Sequence, residues 1–213
     1  MNKKYIGVHR EGWRFFIVFV FISFLSFFLS LFLFFMFSLI SLFTLWFFRD
    51  PERYFESQDN QLLSSADGKI CFIGEEAPPK ETNIDKKMQK VSIFMNVFNV
   101  HVNRSPISGK IEKILYEKGK FFNASLDKAS KYNERNSFII KTDIEKIIVV
   151  QIAGLIARRI LSFISEADYV SKGDRIGLIR FGSRVDIYFP LNYEIKVNQG
   201  DIVVAGETII AER

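Results

Sequence analysis

Val170-Ser171-Lys172-Gly173-Asp174-Arg175-Ile176 and Val197-Asn198-Gln199-Gly200-Asp201-Ile202-Val203 repeat one pattern, Val-x-x-Gly-Asp-x-apolar, and the second copy runs on into Ala205-Gly206-Glu207-Thr208. A Gly-Asp pair marks a turn. Short apolar runs on either side of such a turn read as strands. Between the two copies lie Gly177-Leu178-Ile179-Arg180, then Phe181-Gly182-Ser183, then Arg184-Val185-Asp186-Ile187-Tyr188-Phe189-Pro190, and both flanks of the tripeptide read as strand. Residues 138–141 and 147–152 are β-branched runs around a charged turn, a hairpin. The folded part of the chain is therefore expected to be mainly β (α+β).

A Gly-Ser pair held between two strands can do chemistry on its own backbone. Glycine tolerates strained dihedrals and leaves its carbonyl open, so the Ser183 hydroxyl can attack the Gly182 carbonyl carbon. An N-to-O acyl shift gives an ester, elimination cuts the chain, and the former serine hydrolyses to a pyruvoyl group. Such a turn is ordinarily only a turn, and the rest of the chain has to decide.

The 213 residues divide by composition. From residue 15 to 48 there is no ionisable residue, Gly or Pro, and the polar interruptions are Ser23, Ser26, Ser30, Ser38, Ser41 and Thr44. This run is expected to be membrane-embedded. As one straight helix it would be about 51 Å long, well over the roughly 30 Å hydrocarbon core. Lys3, Lys4, Arg10 and Arg14 precede it and Arg49 and Arg53 follow it, which places both ends on the cytoplasmic side. A helical hairpin follows, with a re-entrant or interfacial hairpin and one long tilted helix as the alternatives. A cleaved signal peptide is disfavoured by the length of the run. Residues 1–14 then form a basic cytoplasmic arm, 15–48 the anchor, and 49–213 the β domain. The net charge of +5 suits nucleic acid or an anionic membrane equally; the apolar run decides for membrane. Cys71, the single cysteine, excludes an intrachain disulfide and reads as a buried structural thiol.

Within the β domain, Ser64-Ser65-Ala66-Asp67-Gly68 is a turn leading into a strand from Lys69, and residues 91–100 read as an apolar strand pair running into His101-Val102-Asn103-Arg104. The charged, proline-containing loop 75–90 reads as mobile. His101 is one of two histidines; His9 belongs to the N-terminal arm. No partner ligands are spaced around His101 as a metal site requires. Leu126-Asp127-Lys128-Ala129-Ser130 and Asn133-Glu134-Arg135-Asn136 read as a solvated loop.

The run Arg180-Phe181-Gly182-Ser183-Arg184-Val185-Asp186 resembles the processing site of phosphatidylserine decarboxylase proenzymes, in particular their short bacterial form. Phe48-Arg49-Asp50-Pro51-Glu52-Arg53, Ala66-Asp67-Gly68, Asn99-Val100-His101-Val102-Asn103-Arg104 and the Leu126–Ser130 and Asn133–Asn136 blocks are similar to that family as well. The resemblance implies a chain that cleaves itself between Gly182 and Ser183 into 1–182 and 183–213, which stay together as a non-covalent heterodimer, with higher oligomers open. It implies Asp67 and His101 as the groups that activate Ser183. The pyruvoyl cofactor made from Ser183 would form an imine with the amine of phosphatidylserine, release carbon dioxide, and yield phosphatidylethanolamine at the cytoplasmic face of the inner membrane. Longer members carry His-x-x-His where this chain has His101 and Arg104; His101 is expected to serve both cleavage and decarboxylation. Lys128 and Arg135 are expected at the wall of the substrate site, meeting the phosphate. The Gly-Asp turns resemble those of biotinyl and lipoyl domains, which implies a flattened β-barrel or sandwich, and Asp127-Lys128-Ala129 resembles a lipoylation tripeptide, so a membrane-anchored carrier modified at Lys128 is one rival. An export-system adaptor is another, although no sustained heptads support it.

Overall fold

The computed structural model describes residues 7–124, 132–155, 159–180 and 182–213. Two compact units result, Met1–Glu52 and Arg53–Arg213.

In the first unit the apolar run forms two helices, α1 (Arg10–Phe27) and α2 (Leu31–Phe47). His9 caps α1, its Nδ1 accepting from the Glu11 N–H at 3.3 Å. The chain turns at residues 28–30 and returns antiparallel. Ser23 meets Ser38 at 2.8 Å, Phe27 stacks edge-on against Phe34, and Phe15 stacks on Phe48. Gly12 lies so close to Phe48 that a Cβ there would meet it at 2.5 Å. The hairpin is polar inside and apolar outside: Ser23, Ser26, Ser41 and Thr44 are 4–6% exposed, whereas Phe28, Phe32 and Phe35 are 66–75% exposed. Ser26, Ser41 and Thr44 satisfy their hydroxyls on carbonyls one turn back, those of Ile22, Ser38 and Ser41, and Ser23 donates across the hairpin to the Phe34 carbonyl at 3.0 Å. Arg49 closes α2, donating to the Trp46 carbonyl at 2.9 Å with its guanidinium 4.0 Å above the indole. No described helix is long and apolar enough to cross a membrane.

The second unit is mainly β. Its strands, in chain order, are β1 (Gln61–Leu63), β2 (Gly68–Glu76), β3 (Met88–Met95), β4 (Val102–Arg104), β5 (Gly109–Glu117), β6 (Arg135–Lys141), β7 (Lys146–Ala153), β8 (Ile160–Ser162), β9 (Tyr169–Val170), β10 (Arg175–Ile179), β11 (Ser183–Phe189), β12 (Glu194–Ile195), β13 (Ile202–Val203) and β14 (Ile209–Glu212). Among the described residues they pair antiparallel in a curled eight-stranded sheet, β13-β2-β3-β11-β7-β6-β5-β9, and two three-stranded sheets, β1-β14-β12 and β4-β10-β8. Period-2 alternation along β11 sends Val185, Ile187 and Phe189 into the main core. Tyr188 on the opposite face joins a second cluster with Met88, Ile148 and Val150.

The repeated Gly-Asp segments build the same turn. Gly173 and Gly200 have φ of +85° and +103°. Asp174 and Asp201 each accept, through Oδ2, the N–H three residues earlier, from Ser171 and Asn198, both at 2.7 Å. A third copy lacks the glycine: Asp168 accepts from the Ser165 N–H at 2.8 Å, with Ala167 at φ +71°. An alanine in the left-handed position where the other two copies have glycine is what hid this copy from the pattern.

One local expectation is corrected. Residues 91–100 are not a strand pair: β3 ends at Met95, and residues 96–99 form a turn in which the Asn99 side chain accepts from the Asn96 N–H at 2.9 Å and Asn96 from the Phe98 N–H at 2.8 Å. Asparagine side chains compete with the ladder for backbone donors and end it there. The 75–90 stretch is strand only at its ends, where β2 runs to Glu76 and β3 begins at Met88. Between β2 and β3 it carries a 3-10 turn, Lys80–Thr82, and packs Ile84 against the second cluster. Cys71 is half-buried, its thiol facing the Ser92 carbonyl at 3.4 Å.

Candidate active site

Three central strands set the position of Ser183. It opens β11 in register with Met95 at the end of β3 and with Ala153 at the end of β7. The side chain is fully buried, and its hydroxyl points at the Met95 sulfur, 3.4 Å away. Gly182, just before the strand, has φ +51°, the left-handed region that glycine enters without steric cost. Its carbonyl oxygen lies against Gly154, the first residue beyond β7; a Cβ at Gly154 would come within 2.1 Å of that oxygen.

From Met95 a line of buried amides leads across the sheets. The Asn103 amide faces the same sulfur at 3.6 Å, Asn103 accepts from Gln151 at 2.8 Å, and Gln151 accepts from Asn136 at 3.3 Å. All three amide residues are buried. Gly177 on β10 makes room for this line, since a Cβ there would sit 2.7 Å from Gln151 Nε2.

His101 is fully buried beside β10. Its Nδ1 lies 2.9 Å from the Asn99 carbonyl, and its own carbonyl accepts from the Ile179 N–H at 3.3 Å. That bond ties it to the chain three residues ahead of Gly182. Asp67 sits in the turn before β2. Its Oδ2 accepts from Arg53 Nη2 and its Oδ1 from the Ala205 N–H, both at 2.8 Å. The segment carrying Asp67 is joined to that carrying His101 by the Arg104 N–H, which donates to the Ser65 carbonyl at 3.0 Å.

On the far face of β11, Arg184 and Asp186 form a buried pair: Arg184 Nε donates to Asp186 Oδ1 at 2.6 Å and Nη2 to Ser92 Oγ at 2.7 Å. Lys90 approaches Asp186 at 3.3 Å and Glu76 at 2.7 Å. Burial works to raise the Asp186 carboxyl, but the two cations overcome it and hold the carboxyl below its ordinary range. Arg135 is half-buried in a bidentate pair with Glu81, Nε–Oε1 2.6 Å and Nη2–Oε2 2.9 Å. Burial opposes ionisation of Glu81 as well, yet the Arg135 contact dominates and lowers it. Lys128 and Phe181 lie outside the described residues. A cavity of about 670 Å³, lined by residues such as Lys86, Ile144 and Asn192, opens at the opposite end of β11 from Ser183, by Pro190.

The family model described as Phosphatidylserine decarboxylase matches residues 40–211. The chain belongs to the phosphatidylserine decarboxylase family. A phosphatidylserine decarboxylase proenzyme of Xanthobacter autotrophicus is 46% identical over all 213 residues, covering 91% of that protein. One of the same name from Azorhizobium caulinodans is equally similar, with the same coverage. Of the residues packed around Ser183 and His101, sequence reasoning passed over Met95, Asn103, Gln151 and Gly154. The signal for Gly154 was a glycine placed directly after an apolar strand; nothing local marks the amides, which meet across 48 residues of chain in the Asn103–Gln151 case.

Proposed function

We propose that this chain is a proenzyme that cuts itself between Gly182 and Ser183 and then decarboxylates phosphatidylserine to phosphatidylethanolamine and carbon dioxide. The observation that carries it is Gly182-Ser183 at the head of a central strand, the serine buried and its neighbour's carbonyl lodged in a gap left by Gly154. Ser183 Oγ attacks the Gly182 carbonyl carbon while its proton passes to a base, for which His101 is the candidate; the C–N bond breaks and the nitrogen takes a proton. Removal of the Ser183 Cα proton then breaks the Cβ–Oγ bond. Gly182 leaves as a carboxylate, and one water releases ammonia to give the pyruvoyl end. Asp67, fixed by Arg53 and Ala205, is the acid assigned to support this step.

Residue 183 suits a fixed pyruvoyl group because β3 and β7 hold it on both sides and the Arg184–Asp186 pair anchors the next turn of strand. When present, that group supplies a keto carbon that draws electrons from a bound amine. His101 would hold the proton returned to the product. The fragment 183–213 carries β11, β12, β13 and β14 and would stay bound, since β11 is interior to the large sheet and β14 is central in the β1-β14-β12 sheet. The finer architecture is read as a flattened barrel of the biotinyl type, on the strength of the two matching Gly-Asp turns. The helical hairpin, with hydroxyls inside and phenylalanines outside, is read as embedded from the cytoplasmic face without either limb crossing.

Denaturing electrophoresis tests the reading. Wild type is expected as two fragments divided at Ser183, the smaller with a blocked N-terminus, and Ser183→Ala as one uncut chain. Cleavage of Ser183→Ala at the same bond would assign the cut to an outside protease.

A further inference from the structure

We propose that Gly154 is a positioning residue for self-cleavage: its missing side chain is the space in which the Gly182 carbonyl sits and rehybridises. The inference rests on the self-cleavage reading above. A Cβ at Gly154 would lie 2.1 Å from the Gly182 oxygen and 3.0 Å from the Gly182 carbonyl carbon. Both are backbone atoms, so neither can swing aside as the tip of a long side chain would. Ala124 Cβ, 3.3 Å from the same point, narrows the space further.

Strand β7 is also fixed where Gly154 leaves it. The Ala153 N–H donates to the Glu134 carbonyl at 2.9 Å, and the Ala153 carbonyl accepts from Asn133 Nδ2 at 2.7 Å. Moving residue 154 back would break one or both. The two glycines therefore serve different needs. Gly182 has nothing within 4 Å of its own Cβ position and is required for its φ of +51°; Gly154 is required for room.

The chemistry makes that room matter. As Ser183 Oγ bonds to the Gly182 carbon, the carbon becomes tetrahedral and its oxygen, now negative, moves out of the peptide plane. A methyl group at residue 154 would rotate that plane, spoil the approach of Oγ, and set an apolar group against the developing charge. Misplacement of a reacting group by about 1 Å costs on the order of 100-fold in rate.

The test follows cleavage over time in freshly translated full-length chains. Gly154→Ala is expected to slow cleavage about 100-fold while melting cooperatively within a few degrees of Ser183→Ala. Neutral hydroxylamine, which cuts esters and spares amides, should release no fragment from it, because the block precedes the ester. Ala124→Gly added to Gly154→Ala opens space beside residue 154 and should return part of the cleavage. Wild-type cleavage in Gly154→Ala, or hydroxylamine release from it, overturns the proposal. So does loss of cooperative melting in both the single and the double variant, which would make the glycine a folding residue only. An uncut wild type would instead sink the self-cleavage reading itself.

Discussion

At the scale of single residues, the candidate site is held by contacts that each exclude an alternative placement. His101 is buried with its Nδ1 against the Asn99 carbonyl, so the ring is oriented by its own turn. His101→Gln, which keeps a polar group there without the base, is expected to slow self-cleavage by about 100-fold or more. The precursor fraction at fixed times after synthesis measures this. Gln151 bridges two other buried amides. Gln151→Leu leaves Asn103 Oδ1 and the Asn136 amide unsatisfied and is expected to cost about 2–4 kcal/mol, seen as a lower urea midpoint in a Ser183→Ala background. His101 and Ser183 were legible in the sequence because each sits in a short run of characteristic neighbours. Gln151 was not, since nothing in a strand of β-branched residues says which polar position faces inward.

At the scale of elements, β11 carries different chemistry on its two faces. The inner face packs Val185, Ile187 and Phe189, and the outer face buries Arg184 and Asp186. Asp186→Asn leaves Arg184 buried beside a weaker partner and is expected to destabilise by about 3–5 kcal/mol. The folded Asp186 carboxyl is held below its unfolded value of about 4 by Arg184 and Lys90 against the pull of burial. Its contribution is therefore complete above that unfolded value and lost as pH falls through the folded one. Urea titrations from neutral pH down into that acidic range should show this loss in Ser183→Ala and a shallower one in the same protein with Asp186→Asn. The Gly-Asp turns separate dihedral from space: a Cβ at Gly200 would meet only Lys69 Cε at 4.0 Å, whereas one at Gly173 would meet the Phe55 ring at 2.6 Å. Gly200→Ala should cost about 1–3 kcal/mol from its φ alone, and Gly173→Ala more.

At the scale of the whole molecule, the cut falls inside the fold. The fragment 183–213 contributes an interior strand to one sheet and the middle strand of another, so the mature protein should elute as one species under native conditions. Its unfolding, however, frees two chains. The melting temperature of the mature protein should therefore rise with protein concentration, while that of Ser183→Ala stays constant; scanning calorimetry over a hundredfold concentration range distinguishes them. The same scale explains the hairpin, whose hydroxyls are spent on each other and on nearby carbonyls while phenylalanines such as Phe28, Phe32 and Phe35 face outward.

The amino-acid order alone determined the Gly-Asp turns, the β character of the domain, the uncharged run of residues 15–48 and the Gly182-Ser183 pair, because each depends on neighbours a few positions apart. Tertiary structure alone decided that Ser183 faces Met95, 88 residues away, that Gly154 lies under the Gly182 carbonyl, and that Asp67 is gripped by Arg53 and Ala205. Those are matters of strand register and of which sheet closes over which. Register is set by the summed burial of whole strands, and no local pattern of residues contains it.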